Sequence, residues 1–230
     1  MTAVICMEQL AEDANAELED ASAEDVLRWA SDTFGNRFAI AASMGDTVLA
    51  HLASRVQPGI DLLFVDTGYH FVETIVTRDA VAAAYPVRVL DIQPILTVAE
   101  QDRVYGARLH DRDPDRCCAM RKVAPLDRAL RDYDAWASGL RREESPTRAT
   151  APVVGWDHKR GKVKVNPLAR WTQADVDAYI ARHDVLVNPL LSDGYTSIGC
   201  GPCTRRIAPG EDARAGRWAG TSKTECGING

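Results

Sequence analysis

The chain has 230 residues, 46% apolar and 26% charged, an ordinary globular balance that suits one domain or one domain with an appendage. No apolar run approaches 18 residues, which excludes a membrane-spanning helix, and the first 25 residues lack Lys, Arg and an apolar stretch, unlike a secretory signal. The net charge of −6 misleads: residues 1–25 hold eight acids and no base, which leaves +2 for 26–230 and argues against a general nucleic-acid binder.

In chain order, residues 1–25 read as an acidic N-terminal arm. Ser22 with Asp25 forms a capping-type start before Val26, Leu27, Trp29 and Ala30. Residues 37–42 read as a short buried strand, followed by a loop at 43–46 and a helix carrying Val48, Leu49, Leu52 and Val56. A second strand at 61–65 ends in the loop 66–70, a helix follows with Phe71, Ile75, Val76, Ala80 and Val81, and 87–92 make a third strand. Residues 113–133 read as helical, with Cys117 and Cys118 near the start and Arg121 and Lys122 one turn on. Residues 135–140 are a further strand, delivering Arg141, Arg142 and Arg148. Residues 153–165 read as a hairpin turning at 159–161, and Thr172 with Asp175 starts a helix carrying Val176, Tyr179, Ile180 and His183.

Strands alternating with helices predict an α/β fold, a doubly wound, mostly parallel sheet flanked by helices over 26–204. Such sheets bind ligands at the carboxyl ends of their strands, where the 43–46 and 66–70 loops sit. Past Cys203 apolar content thins, and 205–230 read as a mobile C-terminal tail.

Six cysteines without a secretion signal favour metal or redox chemistry over structural bridges. Cys117 and Cys118 are adjacent, and Cys200 with Cys203 forms a CxxC pair, with 81 residues between Cys118 and Cys200. Four thiolates from two such groups can hold one metal centre. Neighbouring side chains diverge, which is awkward for one tetrahedral zinc, whereas an iron–sulfur cube offers separate corners. The bland alternative is small buried hydrophobes plus a thioredoxin-like CxxC. Cys226, near the end of the chain, suits nucleophilic attack if Arg214, Arg217 or Lys223 favours its thiolate; otherwise it is an incidental tail thiol. Cys6, among acids, reads as incidental, and His51 and His183 as structural or surface residues.

The 43–47 loop lacks the Gly-Lys of a Walker loop, so nucleoside triphosphate hydrolysis is not indicated, although small residues before a helix can cradle an anion as well as make an ordinary turn. Residues 139–165 carry a local charge of +4, and Arg141, Arg142 and Arg148, following a strand at the ligand edge, suit phosphate or sulfate.

Together Cys117-Cys118, Cys200-x-x-Cys203 and Lys223-Thr-Glu-Cys-Gly227 resemble the assimilatory adenylylsulfate reductases, the cluster-containing branch of the sulfonucleotide (PAPS/APS) reductase family. Segments 64–71, 139–146, 159–168 and 210–218 resemble the same family, and the likeness runs from about Arg37 to Gly227, leaving the acidic arm outside. The resemblance implies an adenine-nucleotide α-hydrolase-like fold. It implies reduction of adenosine 5′-phosphosulfate (APS) to sulfite and AMP in sulfate assimilation, in the cytoplasm, with thioredoxin or a similar dithiol as reductant. It implies one [4Fe–4S] cluster on Cys117, Cys118, Cys200 and Cys203, with Cys226 as nucleophile and Lys122 between cluster and sulfate. It further implies that Ser43, Gly45, Thr67, Gly68, Gly139, Arg148, Arg214 and Arg217 surround the substrate. No nucleic-acid or membrane partner is implied, and a homo-oligomer is compatible with it. Two departures stand out: the 44–46 loop differs from the family's usual forms, and Asn229 replaces the usual tail histidine, removing an imidazole.

In the chemistry this implies, Cys226 attacks the sulfonyl sulfur, AMP leaves, and a partner dithiol releases sulfite from the Cys S-sulfonate. Three alternatives remain: a 3′-phosphoadenosine 5′-phosphosulfate (PAPS) reductase, a nonenzymatic iron–sulfur or zinc redox sensor, and an ATP-consuming adenylating relative.

Overall fold

The computed structural model describes residues 6–221 and 223–228. In chain order the elements are α1 (Met7–Leu18), α2 (Ala23–Phe34), β1 (Phe38–Ala41), α3 (Val48–Val56), β2 (Ile60–Val65), α4 (Val72–Ala84), β3 (Val87–Ile92), α5 (Val98–Tyr105), α6 (Leu109–Arg112), α7 (Pro114–Cys118), α8 (Ala124–Ala129), β4 (Ala135–Ser138), β5 (Val154–Asp157), β6 (Lys162–Val165) and α9 (Gln173–His183). The six strands form one sheet in the order β3-β2-β1-β4-β6-β5, with every pairing parallel except the β5–β6 hairpin. The expected doubly wound α/β sheet is therefore present. Its order reverses between β1 and β4, so the connections leaving these neighbours diverge and open a crevice at their carboxyl ends.

The strand period of two divides the core. Phe38 and Ile40 of β1 and Val163 and Val165 of β6 face one side, packed with α1, α2 and α3. Ala39, Leu63 and Trp136 face the other, under Leu126 and Leu130. The capping signatures are realised: Ser22 Oγ accepts from Asp25 N at 3.1 Å, and Thr172 and Asp175 cap α9 reciprocally.

Three regions differ from the sequence reading. The acidic N-terminal segment is not a free arm: Ala11, Ala14 and Leu18, at helical spacing among the acids, are buried in the core, and the expected boundary after residue 25 falls inside α2. Asn15 Oδ1 accepts from Val154 N at 3.1 Å, and Arg142 grips Glu19 through two bonds of 2.6 and 3.0 Å. Arg142 therefore straps α1 to the body instead of joining an anion site. The helix expected over 113–133 is interrupted by a π-helical turn, Ala119–Val123, between α7 and α8. Pro125 has no N–H to offer the Arg121 carbonyl one turn back, so the ladder must shift there. The segment after Cys203, expected to have little core, is anchored by one large residue: Trp218 is 4% exposed, and Thr204 pairs with Arg217 across the boundary expected after residue 204. Among the described residues no helix is long and apolar enough to cross a membrane.

Candidate active site

Asp113 and Pro114 start α7 as N-cap and first-turn proline, the Asp113 side chain accepting from Arg116 N at 2.9 Å. That short helix buries Cys117 and Cys118. Cys200 precedes and Cys203 ends a one-turn 3₁₀ segment, Gly201–Cys203, whose Gly201 N–H donates to the Tyr69 carbonyl at 2.7 Å and so docks it on the loop after β2. All four thiols line one pocket together with Arg121 and Lys122, and none is in a disulfide. Burial, with Cys200 and Cys203 adding to it, pushes the Cys117 thiol up to about 11. Thr67 Oγ1 lies 3.3 Å from Cys200 Sγ. Among the described residues no three His, Cys, Asp or Glu side chains close around a single point as the ligands of one metal ion would. Three or more thiols sharing one low-dielectric pocket are costly to ionise together, and a cationic centre would relieve that cost, so the donor set fits a thiolate-bound group.

The C-terminal segment meets this group of side chains at Cys118. Cys226 Sγ is hydrogen-bonded with Cys118, and Lys122 and Arg217 flank it; together they hold the Cys226 thiol well below the usual range despite its burial. Burial alone would pull Lys122 down, but Cys200, Cys226 and Cys118 hold it above the ordinary lysine range. Arg217 donates to Ser197 Oγ at 3.2 Å and to the Ile198 carbonyl at 3.4 Å, and its guanidinium lies 4.5 Å from the Trp218 ring. A Cβ on Gly199 would fall 2.4 Å from that guanidinium, so only glycine lets Arg217 reach inward here.

One residue earlier, the Glu225 carboxylate sits in a cradle of donors. Arg148 binds it bidentately, with Nε to Oε1 at 2.7 Å and Nη2 to Oε2 at 2.8 Å. Arg214 adds a bond of 3.3 Å, and Ser145 and Thr147 hydroxyls donate at 3.3 Å each. Burial opposes its ionisation, yet Arg148 and Arg214 hold Glu225 down at about 2. The rest of the segment is tied by Lys223 to Asp115, by Lys159 to the Gly227 carbonyl at 3.5 Å, and by Arg160 to the Ile228 carbonyl at 3.0 Å. Asn229 lies outside the described residues.

The structure thus gathers Cys117, Cys118, Cys200, Cys203, Cys226, Lys122, Arg217 and Thr67, and places Arg148 and Arg214 beside them around Glu225. Ser43 and Gly45 follow β1 and Gly139 follows β4, on the two sides of the crevice where the strand order reverses. The strain in the first loop sits on Met44 and Thr47, with φ of 59° and 51°, not on Gly45. Gly68 does need to be glycine, with φ 72° and Arg121 and Val98 both 3.1 Å from where a Cβ would stand.

Sequence reasoning gave no role to two buried supports of these loops. Asn188, fully buried, donates from Nδ2 to the Met44 carbonyl and to Thr74 Oγ1, both at 3.1 Å, and from its backbone to Gly45 O at 2.8 Å. Arg121, on the π-helical turn, donates to the carbonyls of Thr67 and Leu96 and to Gln101 Oε1. Arg121 was visible beside Cys117 and Cys118 as part of one motif; Asn188 had only its place before Pro189 as a signal.

Residues 37–206 match the phosphoadenosine phosphosulfate reductase domain. The chain is 64% identical to the adenosine 5′-phosphosulfate reductase of Streptomyces coelicolor over 97% of its own length and 95% of that protein's. It is 55% identical to the enzyme of the same name from Mycolicibacterium smegmatis, over 97% and 94%. Among solved structures, the phosphoadenylyl-sulfate (PAPS) reductase of Candida auris, in a phosphate complex, superposes with a TM-score of 0.74 at 30% identity, covering 89% of this chain and all of that one. The FMN adenylyltransferase of Candida glabrata shares the fold alone, at a TM-score of 0.56 and 12% identity over 86% of this chain and 75% of that one. The relatives cover nearly the whole chain, and the chain belongs to the phosphoadenosine phosphosulfate reductase domain family.

Proposed function

We propose that this chain reduces adenosine 5′-phosphosulfate to sulfite and AMP in sulfate assimilation, in the cytoplasm, with thioredoxin or a similar dithiol as reductant. The observation that carries the reading is Cys226 hydrogen-bonded with Cys118, one of the four pocket cysteines, and held low by it and by Lys122 and Arg217. Names at 51–64% identity over nearly the full chain support the unphosphorylated nucleotide as substrate.

Cys226 attacks the sulfur of the phosphosulfate. A bond forms between the Cys226 sulfur and the sulfonyl sulfur, the bridging S–O bond breaks, and AMP leaves with that bond's electron pair. Lys122, Arg217 and Arg214 oppose the negative charge that accumulates on sulfonyl and phosphate oxygens. A thiolate of the partner dithiol then attacks Cys226 Sγ and expels sulfite. Its second thiol resolves the mixed disulfide, so the partner loses two electrons and Cys226 returns as a thiol. Cys117, Cys118, Cys200 and Cys203 would hold a [4Fe–4S] cluster, which when bound supplies fixed charge beside Lys122 and need pass no electron. With Cys118 committed as a ligand, its proton would be gone, and the charges left to favour the Cys226 thiolate would be those of Lys122 and Arg217. Gly68 would lie toward the nucleoside, with Thr67 bracing its loop against Cys200, and Ser43, Gly45 and Gly139 would line the phosphate side of the crevice.

Mass spectrometry tests the central step. Protein purified anaerobically, with iron and sulfide counted, is mixed with APS and no reductant. An SO₃ adduct on the peptide carrying Cys226 is expected, and an unmodified peptide from iron-loaded protein rejects the mechanism. A second reading, reduction of the 3′-phosphorylated nucleotide PAPS, is favoured by the likeness to the Candida auris enzyme. Competing the two substrates for one enzyme decides it, with APS expected to win.

A further inference from the structure

Glu225 is an anion lodged among five donors on an edge that, on the proposed reading, receives the anionic substrate. Arg148 and Arg214 keep only 11% and 13% of their side-chain surface exposed, and Arg148 also pairs with Glu144. Two guanidinium groups therefore already face two carboxylates. A phosphosulfate arriving at Arg148 and Arg214 would bring further negative charge, and the cradle cannot neutralise it and Glu225 at once.

We propose that Glu225 is a positioning residue that occupies the anion cradle in place of the substrate, so that nucleotide binding expels its carboxylate and shifts the adjoining Cys226. This rests on the reading that Arg148 and Arg214 take the nucleotide's anion. In the arrangement described, Glu225 pins the segment, and Cys226 lies against Cys118 and Lys122. When the nucleotide takes Arg148, Glu225 leaves, and Cys226, one residue away, moves with it. When AMP departs, Glu225 returns. The coupling is reciprocal: whatever frees Glu225 strengthens nucleotide binding by the same factor that the nucleotide weakens docking of the segment. Of the segment's other ties, that of Arg214 to the Thr224 carbonyl at 3.4 Å uses the cradle, whereas the pair of Lys223 with Asp115 and the bonds from Lys159 and Arg160 to backbone carbonyls do not, so the segment can let go of Glu225 without leaving the protein.

The test uses AMP and anaerobically purified, iron-loaded protein. Calorimetry should show Glu225→Gln binding AMP about 10-fold more tightly than the unaltered chain, with Glu225→Asp in between. Alkylation of Cys226, followed on its own peptide, should change in rate when AMP is added to the unaltered and Glu225→Asp proteins, and should not respond to AMP in Glu225→Gln. A merely structural role for Glu225 would leave AMP affinity unchanged or weaken it, and either result overturns the proposal. Arg148→Ala should lose AMP binding in both backgrounds. If Arg148→Ala binds AMP like the unaltered chain, the assignment of the nucleotide to this cradle fails and the exchange falls with it. If Arg148→Ala fails to bind while Glu225→Gln binds as before, the assignment stands and only the exchange is refuted.

Discussion

The two ends of the chain look alike in sequence, polar stretches outside the apolar pattern, yet they attach to the body by opposite physics. The N-terminal α1 lays a stripe of Ala11, Ala14 and Leu18 into the core, and Arg142 and Glu19 secure its end. The C-terminal segment is held mainly by Lys223, Glu225 and backbone carbonyls that meet Asp115, Arg148, Arg214, Lys159 and Arg160, with Ile228 as its apolar contact. Apolar burial is indifferent to what else arrives, whereas an ion pair can be exchanged for another ion. The first kind of attachment builds a wall, and the second suits a segment that carries a nucleophile.

The comparison is broken most forcefully at the C-terminal end. Cys226→Ser should lower turnover by about 10⁴-fold or more, the scale seen when a covalent nucleophile is removed, with no loss of thermal stability. Undiminished sulfite release would leave the segment without a chemical role. Arg148→Ala removes a bidentate guanidinium from the proposed anion site and should cost about 10²-fold in kcat/KM, measured with APS and thioredoxin. An effect on stability without one on kcat/KM would make the cradle a structural tie, like that of Arg142.

The N-terminal end should respond the other way. Leu18, 8% exposed, loses its packing in Leu18→Ala, which should destabilise the fold by about 2 kcal/mol in urea unfolding while kcat and KM hold. A drop in kcat at full folding would mean that α1 acts on the site and the contrast between the two ends is wrong.

How far these differences could be read beforehand depends on whether the signal is local. The strands and their loops were legible because apolar runs such as 61–65 alternate with helical spacing and end in polar loops, and that alone puts 43–46 and 66–70 at one edge. The cysteines were legible because adjacent and CxxC spacings are themselves the signal. Burial of α1 was missed because eight acids dominate the composition of 1–25, although Ala11, Ala14 and Leu18 share one helical face. The π-helical turn hangs on one missing N–H, that of Pro125, inside an otherwise regular pattern. The partners of Glu225 lie 77 residues away at Arg148, and no local rule selects one arginine of a basic stretch over another: Arg142, six residues earlier, went to Glu19 instead.

The smallest expected effect separates the two faces of the sheet. On β6, Val163 and Val165 enter the core packed by α1, α2 and α3, while Lys164 between them points to the opposite side, 5.0 Å from the Trp136 ring. Burial, then Arg160 and Arg148, pull Lys164 down to about 8, against the help of Asp157 and Glu225. In the unfolded chain it titrates near ~10.4. Between these values the unfolded state holds a proton that the folded state has released, so this group makes stability rise with pH across the window, by no more than about 1.4 kcal/mol per pH unit. Urea midpoints of the unaltered chain and Lys164→Met, taken at pH 7.5 and 9.5, isolate that slope from other titrations. The unaltered chain should gain on the variant as pH rises. Adding Glu225→Gln removes a negative charge that favours the lysine's proton, lowers its pKa further and widens the window. Parallel profiles, or a gap that moves the other way, would mean that Lys164 carries its charge beside Trp136 as cheaply as in solvent, and the contrast between the two faces of β6 would lose its energetic basis.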